Sequence, residues 1–149
     1  MNMFSLFLSI MLFFFFTACS SPDVLGKSVK KEYFTGGKIR SEFIMDDDTE
    51  QNGLLIQYGY TGSKTSEVTI RNGVKNGLET GYDEEGRVLW KQTYVNGNLE
   101  GVQKAFYPNG DLMVTYTYAN GLKNGPAQTY NIDGTIHRRV MYRNGKLAN

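Results

Sequence analysis

The stretch "NGLKNGPAQTY", Asn120–Tyr130, decides how this chain folds, because the chain writes it more than once. "NGVKNGLETGY" at Asn72–Tyr82 and "NGNLEGVQKAF" at Asn96–Phe106 repeat its layout, and the three starts lie 24 residues apart. Glycines keep the same step. Gly62, Gly86, Gly110 and Gly134 form one series, Gly73, Gly97, Gly121 and Gly145 a second, and Gly53, Gly77, Gly101 and Gly125 a third. An aromatic series, Phe34, Tyr58, Tyr82, Phe106 and Tyr130, runs beside them. Self-similarity at a fixed period marks a repeat architecture, in which each period is one supersecondary unit stacked on the next.

Inside a period the pattern has step two. In "LETGYDEEGRVLWKQTYVNG", Leu78, Thr80 and Tyr82 share one side of an extended chain, with Glu79, Gly81 and Asp83 on the other. Beyond Gly86, the same spacing groups Val88, Trp90, Gln92 and Tyr94, and the next period offers Leu112, Val114, Tyr116 and Tyr118. β-Branched and aromatic residues dominate, and no 3.6-residue stripe persists, so these are strands. Asn109-Gly110 and Asp133-Gly134 sit between two strand runs, where a type I′ hairpin turn is expected; Glu85-Gly86 and Thr61-Gly62 fill the same slot. The second connection, "VNGNLEG" or "ANGLKNG", carries Asn-Gly and another Gly four residues on, the first to reverse the chain and the second for a bulge or a ring laid on backbone.

Each period is thus one β-hairpin, and the expected fold is all-β: a single-layer antiparallel meander of about five hairpins, advancing ~10 Å per period. An even period returns every side chain to the same face, so like residues line up in ladders across the strands. "YPNGDL", "YANGLKNG", "YVNGNLEG" and "YNIDGTI" give this array its family likeness: it resembles the bacterial variant of the MORN repeat over about Lys30 to Asn149. The resemblance implies a curved scaffold of hairpins without catalytic chemistry of its own. Some family members carry a YwqK-like antitoxin label, which implies an antitoxin-like or immunity role. The array departs from its own period at the start, where Gly37 comes one residue early and "DDDTEQNG" replaces the usual turn, as capping repeats do. At the other end Lys146 discourages pairing of the last strand with another chain.

The first eighteen residues are different material. The apolar run Phe4–Ala18 is shorter than the roughly 20 residues of a membrane span and has the length of a signal-peptide core, read as a signal helix. "FTACSS" resembles a bacterial lipoprotein signal: Thr17, Ala18 and Cys19 match the cleavage box, which implies cleavage before Cys19 and lipid on its sulfur. An uncleaved anchor, or an ordinary signal with a free thiol, are the alternatives. The domain organisation expected is residues 1–18 signal, 19–29 linker and 30–149 repeat domain. The location expected is the cell envelope, on the outer-membrane side where two membranes exist.

Sixteen Lys+Arg against fifteen Asp+Glu give no basic excess of the kind that nucleic-acid binding displays. His137 is the sole histidine and Cys19 the sole cysteine, so no His-based metal cluster, His–Cys pair or disulfide framework can form within the chain. Asp46, Asp47, Asp48 and Glu50 invite a calcium reading, but the twelfth position of the loop counted from Asp48 is Gly59, which offers no carboxylate. No catalytic residue, metal or cofactor is expected. The expected function is a non-catalytic scaffold for a protein or other macromolecule of the envelope, with toxin neutralisation or cell-wall glycan binding as alternatives. Residues alike in every period serve the period, so specificity belongs where periods differ. Trp90 and Tyr116, whose counterparts include Ser66, Val114, Arg138, Gln92 and Val140, are the candidate partner-facing residues.

Overall fold

The structure is a computed structural model that describes Ser21, Pro22 and residues 27–148. The expected signal helix over residues 1–18 and Cys19 lie outside the described residues. Thirteen strands follow in order: β1 (Ser21–Pro22), β2 (Ser28–Tyr33), β3 (Ile39–Met45), β4 (Gly53–Tyr58), β5 (Lys64–Arg71), β6 (Val74–Tyr82), β7 (Val88–Val95), β8 (Asn98–Leu99), β9 (Gly101–Phe106), β10 (Leu112–Ala119), β11 (Leu122–Tyr130), β12 (Ile136–Arg143) and β13 (Lys146–Ala148). They form one antiparallel meander in chain order, with the short β8 paired to β7 beside the main path. The all-β single-layer array expected from the period is the one found. Ser21 and Pro22, in the stretch read as linker, pair with Val29 and Ser28 at the first edge.

Both connections hold positive-φ glycines, but the type I′ turn sits in the other series from the one expected. Asn72-Gly73, Asn96-Gly97, Asn120-Gly121 and Asn144-Gly145 have both residues at positive φ and join strands by two-residue loops. At Asn109-Gly110 only the glycine is left-handed; Gly110 N–H donates to Tyr107 O, and Tyr107 N–H to Asp111 O, each at 2.8 Å. This is a type I turn followed by a left-handed Gly. The connections at Gly37, Gly62, Gly86 and Gly134 close by the same pair of backbone bonds without a proline, so this closure belongs to the period and not to Pro108.

A register shift precedes the recurrent aromatic in each hairpin, at Tyr33, Tyr58, Tyr82, Phe106 and Tyr130. Two details of the sequence reading change with it. In the first period Tyr33, not Phe34, fills the recurrent slot, and Phe34 instead stacks on Tyr60 with ring centroids 4.1 Å apart. The shift between Gly81 and Tyr82 also puts Val88 opposite Tyr82, and Val88 lines a depression with Lys91 and Phe106 rather than sitting beside Trp90. The one-residue slip of the first period is absorbed in the loop from Asp46 to Asn52. Three of its carboxylates are occupied: Asp46 pairs with Lys27 and Arg71, Asp47 accepts from Thr49 and Asn52, and Glu50 pairs with Lys30.

Residues directly opposite on neighbouring strands share a face, which sorts the sheet into two sides. One, the Val68 face, holds Phe43, Leu55, Val68, Glu79 and Gln92 in one cross-strand row, and Gln103, Tyr116, Ala127 and Val140 in another beyond the β7–β9 pairing, on the same side by alternation from Ala105 opposite Trp90. The other, the Tyr82 face, carries Tyr58, Tyr82, Phe106 and Tyr130. A single layer has no second sheet to cover it, so its core is thin: among the described residues, Val29, Met45, Val68, Ile70 and Ala127 are the buried apolar side chains. Cross-strand neighbours within each face therefore supply much of the packing.

Candidate binding face

The Val68 face brings both sequence-chosen residues together. Trp90 lies in the row Ser66, Gly81, Trp90, Ala105, Val114, and Tyr116 lies in the adjacent row. They stand two strands apart, about 10 Å in the direction of the array, with Ala105 and Gln103 between them. Trp90 is half-buried because its indole covers the backbone of Gly81: a Cβ built there would fall 2.0 Å from the ring. Of the bulge-series glycines only Gly53 lies under a ring, that of Phe43; Gly77 and Gly125 face Thr69 and Thr117, and nothing lies within 4 Å of Gly101.

Tyr116 is packed by a cation. Lys123 Nζ sits 3.9 Å from the Tyr116 ring centroid and 5.2 Å from that of Tyr142, so one ammonium bridges two rings on successive hairpins. Beside them is a recess of about 190 Å³, floored by the buried Ala127 and bordered by Tyr116, Thr129, Arg138, Val140 and Tyr142. Thr129 Oγ1 is buried there without a hydrogen-bond partner among the described residues. Rings, a guanidinium and an unpaired hydroxyl thus converge on one concave spot, the combination expected of a site that orients a ligand by a few polar groups within an apolar frame.

Sequence reasoning missed the polar cluster that supports this face. Glu79 is 2% exposed, yet both its oxygens are occupied, by Lys75 Nζ at 2.7 Å and Gln92 Nε2 at 2.8 Å. Gln92 Nε2 also donates to the Tyr94 hydroxyl at 3.0 Å, and Lys75 lies over the Tyr94 ring. Burial raises the Tyr94 pKa, and the Glu79 charge adds to the shift. A buried ion pair is weak evidence for stability, but removing either partner alone leaves a stranded charge. The signal was a carboxylate flanked by Gly77 and Gly81 on the inward side of a strand.

On the Tyr82 face the recurrent tyrosines are hydrogen-bonded as well as packed. The Tyr58 hydroxyl donates to Glu42 at 2.6 Å, and Lys31 holds the other oxygen at 2.9 Å. The Tyr82 hydroxyl and Lys64 repeat the device on Glu67. Both carboxyls are held below their usual range, first by the tyrosine hydrogen bond and then by the lysine. Burial and the Glu42 bond push Tyr58 up to about 12. His137 and Arg138 alternate along an exposed strand and do not converge on one another.

No curated protein matches this chain. Among solved structures, a mutant of S. aureus TarM, crystallised with Fondaparinux, alpha-GlcNAc-glycerol and UDP, is similar at 12% identity and a TM-score of 0.49. The match covers 71% of this chain and spans 21% of that one. Residues 99–120 match the family model described as MORN repeat variant. That segment runs from Leu99 through β9 and β10 to Asn120, one whole hairpin with the Asn109-Gly110 turn inside it and type I′ Asn-Gly turns at its borders. The repeat at residues 99–120 is a MORN repeat variant, and the hairpins on either side share its period and its turns.

Proposed function

We propose that this protein is an exported, lipid-anchored scaffold of the cell envelope, that it binds a macromolecular partner without catalysis, and that the Val68 face around Tyr116 is where it binds. The observation that carries the reading is the recess beside Tyr116, where ring faces, Arg138 and the unpaired Thr129 hydroxyl meet over Ala127. Tyr116, Thr129 and Arg138 occupy slots in which the periods differ, so the repeat itself does not require them. The MORN repeat variant at residues 99–120 supports a scaffold role, and "FTACSS" at Phe16–Ser21 supports an anchor on Cys19. A photo-crosslinker placed at position 138 in intact cells identifies what lies over the recess. Binding of that partner to purified protein is then compared for Tyr116→Ala, Trp90→Ala and Tyr82→Ala. Tyr116→Ala is expected to weaken binding at least ten-fold while lowering the melting temperature less than Tyr82→Ala. Unchanged binding by Tyr116→Ala defeats the assignment of this face.

A further inference from the structure

The Tyr82 face changes character halfway along the array. In the first two hairpins its polar groups are matched, as Lys31–Glu42–Tyr58 and Lys64–Glu67–Tyr82. One period beyond Lys64, Glu67 and Tyr82 stand Val88, Lys91 and Phe106. The glutamate has become a lysine, and both its former partners have become apolar. Lys91 is directly opposite Lys104 on β9, and like charges so placed repel. Both side chains are exposed, and no ion pair or hydrogen bond reaches either ammonium among the described residues. Thr80 and Thr115 flank the pair in the same cross-strand row, which ends at Arg139 beside the Gln128 amide.

The imbalance extends beyond the pair. Residues 27–86 hold eight Lys/Arg and eleven Asp/Glu, whereas residues 87–148 hold eight Lys/Arg and three Asp/Glu. Those three, Glu100, Asp111 and Asp133, lie between strands, so β7 to β13 contain no acid. A near-neutral chain is therefore polarised along its length, with its unmatched positive charge on the later hairpins. Such fields select the sign of a partner and speed its encounter.

The rows on either side of the lysines decide what kind of anion fits. Leu78 and Val102 are each 52% exposed and Met141 45%, and alternation puts them on the same side as Thr80, Lys104 and Arg139. On the other flank lie Tyr82, Val88 and Phe106. A strand of phosphodiesters would neutralise the lysines and leave both apolar rows in water. A polypeptide with carboxylates between apolar residues would cover all three rows. We propose that the Tyr82 face from β6 to β12 docks an acidic, amphipathic segment of a partner protein, with its carboxylates on Lys91 and Lys104. This site is separate from the recess on the opposite face, and it stands whether or not that reading holds.

The test uses the full chain in detergent and a fluorescein-labelled synthetic peptide in which paired glutamates alternate with leucine and phenylalanine. Its comparators are the same peptide with lysine for glutamate, polyglutamate and polyphosphate. The acidic amphipathic peptide is expected to bind best, with an affinity that falls steeply as salt rises. Lys104→Glu places a carboxylate opposite Lys91, so it is expected to raise the melting temperature while weakening peptide binding ten-fold or more. Lys104→Gln should weaken binding by a smaller factor, and Tyr116→Ala should leave it unchanged. Absence of peptide binding, retention of full binding by Lys104→Glu, or equal affinity for polyglutamate or polyphosphate would overturn the proposal. A lower melting temperature for Lys104→Glu would do the same, since the repulsion argued from the register would then be absent.

Discussion

Replacing Gly81 by alanine isolates the contact that fixes Trp90. Gly81 has no positive φ, so alanine can adopt its backbone without strain, and in an open site the exchange would stabilise by about 0.4–1 kcal/mol through the unfolded chain. The site is not open. The added Cβ would fall 2.0 Å from Cε2 of Trp90, 2.3 Å from Nε1 and 2.5 Å from Cζ2. Ordinary carbon contacts lie near 3.5–4.0 Å, so the ring must retreat by about 1.5 Å. An indole has no flexible end to fold aside, and overpacking of this kind costs roughly 1–3 kcal/mol. Gly81→Ala should therefore destabilise by about 2 kcal/mol in the wild-type background. In a Trp90→Ala background it should be neutral or stabilising by about 0.5 kcal/mol. The double-mutant cycle then predicts a coupling near 2–3 kcal/mol, read from urea unfolding followed by far-ultraviolet circular dichroism, with equal m values across the four proteins. Additivity within about 0.5 kcal/mol would refute the claim that the ring rests on this backbone. The pair also accounts for Gly81 itself, since the equivalent positions one period away are Gln57 and Ala105.

Three further outcomes are expected. Cys19→Ser should abolish labelling by a fatty-acid analogue and release the protein from the membrane fraction; equal labelling of both forms would remove the anchor from the proposed function. The Tyr58 phenol is raised to about 12, so its neutral form contributes stability that is complete below its unfolded value near 10 and lost as pH climbs through about 12. Absorbance at 295 nm should show a late-titrating component that Tyr58→Phe deletes and Glu42→Gln moves to lower pH. For Glu42 and Glu67 the sign is opposite: their depressed carboxyls contribute above about pH 4.3 and lose that contribution as pH falls through the folded values, so Tyr58→Phe and Tyr82→Phe should flatten the acid limb of the stability curve.

What could be read from the residues alone was whatever the period imposes. Strands, their order and the single layer follow from spacing, because a hairpin that recurs every 24 residues has few ways to bury its faces other than beside its neighbour. Turn type was less accessible. Asn-Gly occurs in both connections, and the difference lies in where the ladder closes, which is one residue further from the turn pair throughout the series of Gly37, Gly62, Gly86, Gly110 and Gly134. The register shifts before Tyr58, Tyr82 and Tyr130 leave no mark in the composition, yet each changes which residues share a face, as Val88 demonstrates. The displaced slot at Tyr33 was visible only as an early Gly37.

The functional surface divides along the same line. Comparing periods within one chain picks out Trp90 and Tyr116, because a residue that the repeat does not demand needs another reason to be there. That comparison treats positions singly, however, and the sheet works by rows. Glu79 gains meaning only beside Lys75 and Gln92, Lys123 only between Tyr116 and Tyr142, and Lys91 only opposite Lys104. Trp90 differs from its counterparts and so does its cross-strand partner Gly81, which marks a packing exchange within the sheet. Tyr116 and Lys91 differ from theirs and each leaves a group beside it unmatched: Tyr116, although Lys123 packs on its ring, borders the unpaired Thr129 hydroxyl, and Lys91 faces Lys104. A departure matched by its neighbour serves the fold, and a departure left unmatched calls for a group from outside it. By that criterion Tyr116 and Lys91 are the residues that test the two binding surfaces proposed for opposite faces of one thin sheet, and Trp90 belongs first to the scaffold between them.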